Sequence, residues 1–283
     1  MLKWITMILS VMFIPLQIHA DDTISWQTYH RPPGIIMIGD DQGKGFVEKA
    51  LNLIIERLPE YKHHKPMTTL ARALSDMKAG RQVCHPALFK TRKREEFMIF
   101  SQAAMINPTN RIVAHPGKID ALVKKDKSVD LIELLQYPQL SFALVKERSY
   151  TQIIDDLLAD YLDQKYLFKM TNTDLSSLFQ MIEKGRIDVS IAYPFEVNYY
   201  LKDSNKREGA LKLYAMSGME KFTFGSVACP KTEWGKRVIN KVNLALDVLK
   251  PTAAYRKAVT AWWEEEAATE AFNVLYQNEF LNR

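Results

Sequence analysis

The chain has 283 residues, 47% of them hydrophobic, and a formal net charge of +5, enough for a real core in one large or two medium domains. Its basic residues are scattered among acids apart from the short cluster Lys90, Arg92, Lys93 and Arg94. No basic and aromatic interleave of a nucleic-acid platform is present, so nucleic acid is not an expected partner.

The first twenty residues place Lys3 ahead of an apolar run from Trp4 to Ile18 and finish on Ala20, the layout of a secretory signal peptide. Ser10 and Pro15 break the run, which falls short of the roughly 20 residues that a spanning helix needs. No cysteine stands at Asp21 or Asp22 to carry a lipid. The mature chain is therefore expected to be periplasmic and free in solution, with a formal charge of +5 − 1 = +4 once Lys3 is lost.

Beyond the leader, Tyr29 precedes the Pro32-Pro33 break, the apolar Ile35 to Ile38 and the turn residues Gly39, Asp40, Asp41, Gln42 and Gly43. Phe46, Ala50, Leu51, Ile54, Ile55 and Leu58 fall at helical spacing, and Pro59 stops that helix. His63 and His64 read as solvated surface. A second helix runs from Thr69 through Met77 to Gly80, a natural C-terminal cap. Strands are expected at 83–89, 111–114, 140–145, 187–192, 211–216 and 225–229, and helices at 151–161, 175–183, 236–249 and 253–276. Alternation of short apolar runs with amphipathic stretches means α/β.

This order fits two lobes better than one continuous sheet. Residues 21–107 and 217–283 are expected to build the first lobe and 108–216 the second, with crossings near Met105 to Thr109 and Ala215 to Gly218. Cys84 and Cys229 then share a lobe. In an oxidising compartment they form a disulfide closing a loop of 229 − 84 = 145 residues. Two buried thiols acting as small hydrophobes are the alternative. They complete no tetrahedral metal shell, since no third sulfur or histidine stands at ligand spacing.

Four segments carry a family resemblance. They are Tyr29 to Pro33 followed by Gly43-Lys44-Gly45-Phe46; Lys90 to Ser101, with Thr91, Arg94 and Phe100-Ser101; Ser141 to Thr151, a strand entering a short polar loop; and Gly185-Arg186-Ile187-Asp188. In this order they resemble the type II periplasmic solute-binding proteins, and among them solute-binding protein family 3, the receptors of amino-acid importers. The resemblance implies a two-lobe α/β fold with hinge crossovers. It also implies capture of a small polar, carboxylate-bearing ligand for a membrane permease of an ABC importer.

The resemblance places the ligand's carboxylate on Arg94, six residues before Phe100, where a planar guanidinium donates two parallel hydrogen bonds. A surface ion pair, with Glu95 for instance, is the alternative role. Arg148, Ser149, Tyr150 and Thr151 precede a helix, whose free N–H groups support an anion. An ordinary N-cap by Ser149 or Thr151 explains them equally. Tyr29, Phe89 and Tyr193 are candidates to sandwich the ligand. Amino-acid receptors of this kind carry an acid where this chain has Tyr193. Either Glu196 turns inward to meet an ammonium, or the ligand is not a standard α-amino acid.

Asp188 reads as structural, and Trp262 and Trp263 as packing between helix and sheet. No nucleophile, base or metal constellation is visible, so no enzyme, metal or cofactor is expected. The other readings are a ligand-sensing module serving a membrane sensor, an orphan binding protein, and a dehydratase-like enzyme on the same fold. A monomer is expected.

Overall fold

The computed structural model describes residues 23–170, 175–202 and 209–283. The leader read at 1–20 lies outside the described residues. Eleven strands are described: β1 (Thr23–Trp26), β2 (Lys62–His64), β3 (Val83–Leu88), β4 (Met98–Pro108), β5 (Arg111–Ala114), β6 (Ser128–Val129), β7 (Phe142–Val145), β8 (Leu167–Met170), β9 (Val189–Ala192), β10 (Lys212–Met216) and β11 (Phe222–Pro230).

They form two sheets. The first has the order β2-β1-β3-β11-β4 and the second β6-β10-β5-β9-β7-β8. The protein therefore has two lobes. Two chain crossings join them, one from β4 into β5 and one from β10 into β11. They run side by side where β4 meets β11: Phe222 pairs with Pro108, and the Thr109 N–H donates to the Lys221 carbonyl at 2.9 Å.

Helices cover both faces of each sheet, because each strand set alternates between two apolar sides. In the first lobe α1 (Phe46–Ile55) buries Phe46, Val47, Ala50, Leu51 and Ile54. Its entry is tight: Glu48 accepts from the Ile36 N–H at 2.7 Å and the Gly45 N–H at 3.1 Å. A Cβ at Gly45 would lie 2.3 Å from the Gly34 carbonyl oxygen, so no larger residue fits there. The opposite face takes α2 (Leu70–Lys78), capped by the Thr69 hydroxyl and released at Gly80 with φ +72°. In the second lobe α4 (Leu131–Leu135) and α5 (Gln152–Ala159) lie against one face, α6 (Leu175–Glu183) and α7 (Pro194–Leu201) against the other. The short α3 (Arg92–Glu95) carries the basic cluster.

The C-terminal region differs from the expected single helix at 253–276. After α8 (Glu233–Leu249) it breaks into α9 (Ala253–Thr260), α10 (Glu264–Ala267) and α11 (Glu270–Asn278). The break comes at Trp262, whose φ of +80° no helix accommodates. The Thr269 hydroxyl then caps α11 through the Phe272 N–H. Trp263 does pack as expected, edge-on to Phe272 at 5.3 Å. Trp262 instead reaches over the lobe boundary, edge-on to Tyr199 of α7 at 5.3 Å.

His63 also departs from its expected surface role. It accepts from the buried Trp26 indole N–H at 3.0 Å, stacks on that ring, and turns Nε2 to the Leu58 carbonyl at 2.9 Å. A buried tryptophan at the end of β1 needed a partner for its one donor, and the pairing of β1 with β2 supplies it. Cys84 and Cys229 are joined as a disulfide between β3 and β11, which replaces the alternative of two free thiols. Among the described residues no helix is long and apolar enough to cross a membrane, and no group of three or more His, Cys, Asp or Glu side chains is placed to hold a metal ion.

Candidate functional site

Between the lobes lies a cavity whose wall is drawn from both. Tyr29, Arg31, Phe46, Phe89, Arg94 and Asn107 belong to the first, and Arg148, Ser149, Tyr193 and Phe195 to the second. Local structure explains how each arrives there. The Thr91 hydroxyl caps α3 and turns Arg94 inward, leaving it 7% exposed on an otherwise polar four-residue helix. The loop between β7 and α5 presents Arg148 and Ser149. Tyr193 and Phe195 flank the first turn of α7, where Pro194 stands at a position suited to its missing N–H.

Arg94 does not pair with Glu95, its alternative role; that carboxylate takes Lys90 at 3.1 Å. Its guanidinium donates to the Phe89 carbonyl at 3.0 Å and across the cavity to the Glu147 carbonyl at 3.3 Å. One side chain therefore touches backbone of both lobes. Burial lowers the Arg94 pKa from the ordinary guanidinium value, since removing a cation from water is costly.

Glu196 does turn inward, and it is 2% exposed. Its carboxylate accepts from Arg148 at 2.8 Å and from the Tyr193 N–H at 3.0 Å, and Arg31 approaches it at 3.5 Å. Burial works against the Arg148 cation, but Glu196 outweighs it and holds the Arg148 pKa above the ordinary value. Arg148 also lies over the rings of Tyr150, at 5.1 Å, and Tyr193, at 5.3 Å.

Three candidates lie off the cavity wall: Glu196, which stands behind Arg148, and Tyr150 and Thr151. Tyr150 is buried, with its hydroxyl on the Val145 N–H at 3.0 Å, and burial raises its pKa to about 12. Thr151 caps α5 through the Ile154 N–H at 3.3 Å. The expected anion site at this helix start is filled by the chain itself. Asp155 accepts from the Tyr150 N–H at 2.9 Å and from the Ser149 hydroxyl. Asp188 takes the structural place expected of it, accepting from the Ser141 N–H and hydroxyl at 2.9 and 2.8 Å and pairing with Lys118.

Arg31 and Asn107 were not singled out from sequence. Arg31 stands inside the Tyr-before-prolines segment, which drew attention to Tyr29, and Asn107 lies in a strand read as a connection. Arg31 Nε and Asn107 Oδ1 are buried with no partner among the described residues. Behind the wall, His85 accepts from the Ala87 N–H at 3.1 Å, so its proton sits on Nε2. Burial first, then Arg31 and Arg94, push its pKa down to about 3, and the ring is neutral at pH 7.

The lobes also meet around the rim. Phe46 and Phe195 stack edge-on at 5.1 Å, Arg92 pairs with Asp156 at 2.7 Å, and Lys202 with Asp41 at 3.3 Å. The two ion pairs are largely exposed, so water and salt screen them and they contribute little. Phe195 and Tyr193 join the first lobe's core cluster and hold the cleft shut more firmly.

No protein-family model matches this chain, and no curated protein matches it either. Solved structures do. A histidine kinase sensor domain with similarity to periplasmic binding proteins superposes with a TM-score of 0.66 at 16% identity, over 86% of this chain and 96% of that one. An ancestral arginine-binding protein bound to glutamine gives 0.64 at 18% identity, over 86% and 97%. The periplasmic VFT2 domain of BvgS from Bordetella pertussis gives 0.63 at 19% identity, over 85% and 93%. At these identities the likeness is one of fold.

Proposed function

We propose that this chain, which has the two-lobe fold of the periplasmic solute-binding proteins, is a periplasmic receptor that closes over a small carboxylate-bearing molecule and catalyses no reaction on it. The observation that carries the reading is Arg94: a buried guanidinium on the wall of an interlobe cavity, bonded to a carbonyl of each lobe. The lobes are taken as 21–107 with 217–283, and 108–216, moving about the paired crossings at Thr109 and Lys221. Ligand contacts from both sides favour the closed form, and the shift equals the difference in affinity between the open and closed states. Tyr29, Phe89, Ser149 and Tyr193 line the pocket around the bound molecule.

Delivery to an ABC importer is the first reading of its role. Reporting ligand to a membrane sensor is the second, favoured by the histidine kinase sensor domain among the similar structures. A thermal-shift screen across amino acids, dicarboxylates and small peptides tests the binding claim. At 100 times its Kd a true ligand stabilises the fold by about 2.7 kcal/mol. A panel in which no compound raises Tm, or in which the protein consumes the compound, contradicts the reading. Loss of cellular uptake of that ligand on deleting this protein separates delivery from sensing.

A further inference from the structure

We infer that the ligand of this cleft is a small anion without an ammonium group, with a dicarboxylate or a 2-oxo acid as its chemical class; the inference rests on the solute-binding reading above. Three guanidiniums line the cavity, those of Arg31, Arg94 and Arg148, and no Asp or Glu lines it. The one carboxylate at its edge, Glu196, is already shared between Arg148 at 2.8 Å and Arg31 at 3.5 Å. That leaves two positive charges in excess, and both Arg94 and Arg148 are buried.

An α-amino acid brings one carboxylate and one cation. Its carboxylate suits Arg94, but its ammonium meets guanidiniums on the remaining side and a carboxylate whose charge already faces two of them, Arg148 at 2.8 Å and Arg31 at 3.5 Å. Like charges a few ångströms apart in a partly desolvated cleft repel strongly. A dianion faces the opposite balance, because each of its carboxylates meets a fork of N–H donors. Of the buried groups here with no hydrogen-bond partner among the described residues, Arg31 Nε is a donor that suits a carboxylate, while Glu196 Oε1 is an acceptor facing Arg31 at 3.5 Å. Asn107 Oδ1 is a second acceptor in the same state and suits any N–H or O–H donor, so the charge balance and not this atom carries the inference. His85 adds no charge here, being neutral; the neighbouring acid Asp155 lies off the wall, held by Ser149 and the Tyr150 N–H, and offsets part of the Arg94 charge from behind.

Matched pairs that differ in the ammonium group test this by calorimetric titration of the whole mature protein: succinate against L-aspartate, and 2-oxoglutarate against L-glutamate. The ammonium-free member is expected to bind at least about tenfold more tightly. Arg31→Gln is expected to lower dicarboxylate affinity by about fivefold or more and to narrow the gap within each pair. Equal or tighter binding of the amino acid overturns the inference and leaves the solute-binding reading standing, whereas binding confined to compounds without a carboxylate overturns both. Binding of neither member of either pair, nor of any compound in the wider screen, overturns both. Unchanged discrimination in Arg31→Gln contradicts the charge argument even where the wild-type preference holds.

Discussion

Replacing Cys84 and Cys229 together by alanine is expected to lower the unfolding free energy by about 5 kcal/mol. The bridge closes a loop of 145 residues, and cross-linking so long a loop removes that much entropy from the unfolded chain. The two sulfurs join adjacent strands of one sheet, while the entire second sheet lies within the loop. If the second lobe stays folded while the first opens, the effective loop is shorter and the loss is smaller. Denaturant unfolding of the oxidised and reduced wild type, alongside the double variant, separates the cross-link from the lost sulfur volume. A change below about 1 kcal/mol in both comparisons would show that the bridge adds nothing to stability.

Glu196→Ala is expected to cost about 3–5 kcal/mol, because it strands two guanidiniums that the fold has removed from water. Arg148 has 5% of its side chain exposed and Glu196 1%, so solvent cannot replace the lost partner. The variant also frees the Tyr193 N–H at the start of α7. The double change Arg148→Met with Glu196→Leu is expected to recover most of that loss, since an apolar pair of similar volume carries no uncompensated charge. Urea unfolding of the single and double variants measures both. A single variant as stable as the wild type would mean that Glu196 does not hold the arginines as described.

Much of the first lobe was legible in the sequence because its signals are local. Phe46, Ala50, Leu51 and Ile54 repeat at helical spacing, Thr69 and Gly80 punctuate α2, and Cys84 and Cys229 needed only an oxidising compartment to pair. The crossing near Thr109 was readable from Pro108 and the change of pattern. The helix α7 was missed although Pro194 at its first position and Glu196 two residues on announce a start. Tyr193 and Glu196 had been read as pocket wall instead, and Glu196 is in fact both a helix cap and an ion-pair partner. Breakage of the C-terminal helix was invisible, because the left-handed Trp262 is imposed by its reach to Tyr199 and to the Lys44 carbonyl.

The candidate site was legible to the same limit. Arg94, Tyr29, Phe89, Ser149 and Tyr193 do meet at one cavity, although they come from separate segments. Tyr150 and Thr151 stand beside it in sequence but turn into the second lobe, as helix geometry and the Val145 amide require. Arg31 became significant only through Glu196, 165 residues away in sequence (196 − 31). Tertiary pairing of that kind leaves no periodic trace.

Calorimetric titration of Arg94→Ala, with the anion that gives the largest thermal shift in the wild type, tests the central claim most directly. Loss of the buried fork is expected to weaken binding by about 2–5 kcal/mol, or about 30- to 5,000-fold, with Arg94→Lys intermediate because it keeps the charge and loses the fork. Wild-type affinity in Arg94→Ala would contradict the account.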